Sequence, residues 1–89
     1  MINSYIVTCN LIEILNCRIK VMEIVRSGKC VGFSGTGDTV TFHFPTRGGA
    51  MMAFLELETF LDNVSVATSP LTIDKTKLKG VFKYDQSKS

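Results

Sequence analysis

A chain of 89 residues is long enough for one domain and no more. Apolar residues make up 45% and charged residues 20%, ordinary globular values, with no low-complexity block and no internal repeat. The net charge of +2, with a pI near 8.5, is too small to argue nucleic-acid binding from charge alone.

The cysteines Cys9, Cys17 and Cys30 form an odd set without a secretory signal, which points to reduced thiols and a cytoplasmic location. The N-terminus is apolar, but it lacks a basic n-region, and Asn10 and Glu13 interrupt the apolar run. No stretch reaches the roughly 18 apolar residues of a membrane span, so no membrane partner is expected.

Residues 5 to 12, rich in Tyr, Ile, Val and Thr, suit a strand. The spacing of Leu11, Ile12, Leu15, Ile19 and Met22 also fits a helix. The strand is preferred, with a break near Asn16. In "RIKVMEIVR", residues 18 to 26, Ile19, Val21 and Val25 alternate with Arg18, Lys20 and Met22, which predicts a second strand. "SGK" at 27 to 29 reads as a turn, "CVGFS" at 30 to 34 as a short strand and "GTGD" at 35 to 38 as a second turn. "TVTFHF" at 39 to 44 is the clearest strand in the chain. A tight second turn pairs Ser34 with Thr39, Phe33 with Val40, Gly32 with Thr41, Val31 with Phe42 and Cys30 with His43. That register puts Val31, Phe33, Val40 and Phe42 on one apolar face.

Pro45 ends the strand, and Thr46 caps a helix expected from about Arg47 to Asn63. Ala50, Phe54, Leu57, Leu61 and Val64 recur at helical spacing, with Glu56, Thr59 and Asn63 toward solvent. Residues 64 to 69 and 78 to 84 read as strands, Gly80 as a bulge, and residues 85 to 89 as a frayed tail. Strands, one central helix and strands again predict a single α+β domain over residues 1 to 84. It would hold about five or six short antiparallel strands with the helix on one face.

Five of the seven glycines lie between residues 32 and 52. Gly32, Gly35 and Gly37 do not match a phosphate loop: they sit between two strands, and Asp38 would repel a phosphate. They read as a hairpin turn. "TRGGA" is the better anion candidate. Thr46, Arg47, Gly48 and Gly49 leave bare amides at a helix start, where the dipole favours negative charge. The competing reading is close approach of the helix start to the sheet.

Cys30 and His43 as cross-strand neighbours would let a base meet a thiol. No third group orients them and a strand offers no ready oxyanion hole, so no catalytic residue is assigned. The cysteines lack a C-x-x-C knuckle, so neither a metal site nor a cofactor is expected.

Lys75, Lys77, Lys79 and Lys83 interleave with Phe82 and Tyr84, as single-stranded nucleic-acid binders interleave phosphate contacts with stacking rings. The competing reading is an edge strand protected by lysines. Met51, Met52 and Leu55 widen the helix's apolar surface beyond the usual stripe, which reads as an interaction patch or as extra core.

The expected function is a small non-enzymatic protein-binding module, such as an inhibitor, adaptor or regulatory subunit. It would dock on another protein, or on a second copy of itself, through Met51, Met52 and Leu55 or through a strand edge. A small accessory protein of a virus or mobile element would show the same features. The alternative is an RNA-binding protein using the basic C-terminal strand.

Overall fold

The computed structural model describes residues 1–67 and 69–84. Its elements run β1 (Ile2–Asn10), α1 (Leu11–Leu15), α2 (Arg18–Ser27), β2 (Gly32–Ser34), β3 (Thr39–Phe44), α3 (Arg47–Leu57), β4 (Ser65–Val66), β5 (Leu71–Ile73) and β6 (Gly80–Val81). A 3-10 turn at Lys75–Lys77 lies between β5 and β6. The fold is α+β, with an antiparallel sheet in the order β4-β1-β3-β2-β6. β5 pairs with Ile2–Ser4, ahead of the stretch of β1 that pairs with β3. The tail expected at residues 85 to 89 lies outside the described residues.

The structure departs from the expected elements at three places. Residues 18 to 26 form the helix α2, not a strand, so α3 has a helical partner beside it on the same face of the sheet. The buried positions are Val21, Ile24 and Val25, at helical spacing, while Ile19 stands outside. The alternation of Ile19, Val21 and Val25 omitted Ile24, which joins Val21 and Val25 in the core. The opening segment holds both of its readings in turn: strand up to Asn10, then helix from Leu11. Asn10 makes the switch, its Oδ1 accepting from the Ile12 and Glu13 amides at 2.9 and 3.3 Å.

The hairpin register is the second correction. Gly32 faces His43, Phe33 faces Phe42 and Ser34 faces Thr41, two residues from the expected pairing. The loop is wider than a tight turn, and Thr39 and Val40 pair instead with Asn10 and Cys9 on β1. The Leu11 amide donates to the Asp38 carbonyl at 2.6 Å and ties the loop to α1. A two-residue shift leaves every side chain on its expected face, so Phe33, Val40 and Phe42 still point one way.

That face carries the core. Val7, Cys9, Phe42 and Phe44 from the sheet meet Val21, Ile24 and Val25 of α2 and Ala50, Ala53 and Leu57 of α3. The two helices run antiparallel, with Gly28 at the end of α2 against Gly49 at the start of α3. A Cβ on Gly28 would lie 2.8 Å from the Phe44 ring and 2.9 Å from the Gly49 carbonyl, so only glycine permits this approach. Lys29 then takes the left-handed conformation, φ 64°, that closes the helix end.

α3 begins where expected and stops earlier, at Leu57 rather than near Asn63. Beyond it, the Glu13 carboxylate accepts from the Asp62 and Asn63 amides at 3.2 and 3.1 Å, and from Asn63 Nδ2 at 2.8 Å. This holds residues 62 and 63 in a turn against α1. Sequence reading saw Glu13 only as an interruption. Its partners lie about fifty positions away in the chain, and no local signal marks them. Glu13→Ala is expected to cost about 1–2 kcal/mol, the low range for charge-assisted hydrogen bonds at a solvated site. Urea unfolding checks it: Glu13→Gln, which keeps an acceptor, should lie between the two.

Candidate functional site

The helical layer places the interaction patch expected of α3 partly in solvent. Met52 is 68% exposed and Leu55 52% exposed, whereas Met51 is half-buried on the flank of α3. The sequence missed the rest of this surface. Ile12, Leu15 and Ile19 stand exposed around the α1–α2 corner, Ile19 at 77%. Behind them a small groove between the helices and the β2–β3 hairpin is lined by Leu11, Leu15, Met22, Phe33 and Val40. Reading residues 18 to 26 as a strand hid these positions, because it gave Ile19 to the core.

The helix start at Thr46 is formed as expected, the Gly49 amide donating to Thr46 Oγ1 at 3.0 Å. Arg47 and Gly48 are exposed. Gly49 is not open: the Gly28 carbonyl closes on it, and a Cβ there would lie 2.6 Å from that oxygen. The carbonyl end of α2 therefore already faces the positive end of α3. An anion would compete with it, in a groove that Lys29 and Glu56 line together.

The basic strand is arranged differently from a stacking platform. Lys75, Lys77, Lys79 and Lys83 are exposed, but Phe82 and Tyr84 are half-buried. Phe82 packs on Phe33 with centroids 6.2 Å apart, and the Arg26 guanidinium sits 5.6 Å from its ring and 5.1 Å from that of Tyr84. Lys29 Nζ lies 5.3 Å from the Tyr84 ring, and the Tyr84 hydroxyl donates to the Cys30 carbonyl. Both rings already have partners within the fold.

Comparison with protein-family models, with curated proteins and with solved structures finds no match. The chemistry of the site therefore rests on its own geometry.

Cys30 and His43 are not the pair that the expected register made them. The Cys30 thiol donates to the Gly32 carbonyl at 3.2 Å, and burial pushes its pKa up to about 11. Burial likewise raises Cys9 to about 12. Neither is a ready thiolate. No group of three or more His, Cys, Asp or Glu among the described residues is placed to hold a metal ion. Among them, too, no helix is long and apolar enough to cross a membrane.

His43 has other partners. It is 1% exposed, on the face of the sheet away from the helices, between Ser34 Oγ 2.7 Å from Nε2 and Ser4 Oγ 3.0 Å from Nδ1. The Ser4 hydroxyl donates to the Leu71 carbonyl at 3.2 Å. With that hydrogen engaged, Ser4 accepts from Nδ1–H, which leaves Nε2 to accept from the Ser34 hydroxyl. This chain of hydrogen bonds links β2, β3, β1 and β5. Burial holds the His43 pKa below the ordinary imidazole value, which makes it a weak base. The group behind it, Ser4, is neutral and gives an imidazolium none of the support that a carboxylate provides.

Proposed function

We propose that this chain is a small non-enzymatic protein-binding module that docks through the outer surface of its helical layer. One observation carries the reading: Ile12, Leu15, Ile19, Met52 and Leu55 are all more than half exposed on the helical side of the sheet. Large apolar side chains gathered on one side of so small a chain cost solvation that a partner would recover. The charged residues between them, Arg18, Lys20, Glu23 and Glu56, supply the polar rim common at such surfaces. The nucleic-acid alternative has less support, because Phe82 and Tyr84 are engaged within the fold and the lysines alone offer only phosphate contacts.

The test compares native-lysate capture by the wild-type chain and by Met52→Asp combined with Leu55→Asp. The double variant should fold with stability within about 1 kcal/mol of wild type, because both positions are solvated. It should lose its protein partner at least tenfold, while wild type keeps that partner after nuclease and at raised salt. A double variant that holds every partner sinks the helical-face reading. Capture abolished by nuclease, or falling steeply with salt, favours the lysines instead.

A further inference from the structure

We propose that His43 is an acid-sensitive latch whose protonation releases the β5–β6 connection, residues 74–79, from the polar face of the sheet. The geometry places the connection over the histidine. Gly32 is the cross-strand partner of His43, so the two share a face. A Cβ on Gly32 would lie 2.9 Å from Leu78 Cδ1 and would also meet the Gly80 carbonyl. The end of the connection therefore roofs the site, and Leu71, just before it, is tied to His43 through Ser4.

The neutral ring and both serine hydroxyls are satisfied together, and with a charged ring one hydroxyl is not. Protonation turns Nε2 into a donor, so the Ser34 hydroxyl must rotate to accept and its own hydrogen loses its acceptor. Among the described residues, no carboxylate is hydrogen-bonded to the ring. β1 presents Ser4 and Ile6, and β2 presents Gly32 and Ser34, none of them charged. Cys30, beside the ring's backbone, keeps its proton at neutral pH. The connection itself brings Lys75, Lys77 and Lys79, all exposed. Its one carboxylate, Asp74, accepts from the Thr76 amide at 3.0 Å and faces the N-terminal ammonium. An imidazolium under this roof would be buried among uncharged neighbours, and opening lets water reach it.

The roof is lightly held. The Lys79 amide donates to the Phe33 carbonyl at 2.8 Å and the Phe82 amide to the Val31 carbonyl at 3.0 Å. The two-residue β6 supplies the remaining pairing. The sign follows from linkage. His43 is neutral in the closed form with a depressed pKa, so closure is fully favoured above the ordinary imidazole range, near 6.5. It weakens as pH falls below that range, by up to about tenfold per pH unit, and levels off below the lower, closed-state value.

Hydrogen exchange of the Lys79 and Phe82 amides, corrected for intrinsic rate, tests this on the full chain between about pH 7.5 and pH 5, the window set by the imidazole. Alongside it, the His43 ring is titrated by NMR. Protection of those two amides should fall at least tenfold in acid, while that of the β1–β3 amides stays constant, with a midpoint matching a His43 titration below the ordinary value. His43→Gln should remove the pH dependence. If that variant does not fold, Leu78→Ala, which thins the roof beside Gly32, should move the His43 pKa toward the ordinary value and flatten the acid response. A His43 titration at or above the ordinary value overturns the latch. So does protection independent of pH, or an equal loss across all sheet amides.

Discussion

Phe42→Ala is expected to remove about 3–5 kcal/mol of stability, the range for a fully buried phenylalanine. Phe42 is 0% exposed at the centre of the sheet, paired with Val7 on one side and Phe33 on the other, its ring 6.4 Å from that of Phe33. Truncation leaves a cavity under α1 and α2 with a sheet on its far side, and a sheet held on both edges collapses little. A chain of 89 residues has about 4–13 kcal/mol in total, so this one change takes a large share. Urea unfolding by circular dichroism measures it. A loss under about 1 kcal/mol would mean that the core closes around the gap and that the packing described here is too rigid.

Gly35→Ala is the second large effect, about 3 kcal/mol from strain and overlap combined. Gly35 has φ 148°, a conformation L side chains rarely adopt, and a Cβ there collides with the Thr39 carbonyl. That oxygen belongs to the backbone of β3 and cannot step aside without moving the strand. Gly37, two residues on, is the control. Its φ is 59° but the space beside it is open, so Gly37→Ala carries only the left-handed penalty of about 1–2 kcal/mol. Equal losses from the two alanines would show that the loop relaxes and that its width does not depend on Gly35.

The candidate surface was legible in the sequence only in part. Met52 and Leu55 fall outside the stripe of Ala50, Ala53 and Leu57, and their spacing alone identifies them as surplus to the core. The α1–α2 corner was not legible, because Ile19 reads equally well as an inward strand position. Ser4 gave no signal at all. A serine near the N-terminus becomes a partner of His43 only when β1 lies against β3, thirty-nine positions away in the chain.

Some features of this protein follow from local chemistry and needed no tertiary contact. Alternation over Thr39–Phe44 assigns each side chain to a face, because strand side chains repeat every two residues. Thr46 starts α3 because its hydroxyl satisfies an amide three residues ahead. Other features were decided by distant partners. Arg18–Ser27 is helical because Ile24 has a core to enter beside α3. The hairpin register moved by two because β1 claims Thr39 and Val40, and that shift changed every partner and no face. The period of a strand is local and survives such a slip. The identity of the neighbour is not local, and it placed His43 between two serines instead of beside Cys30.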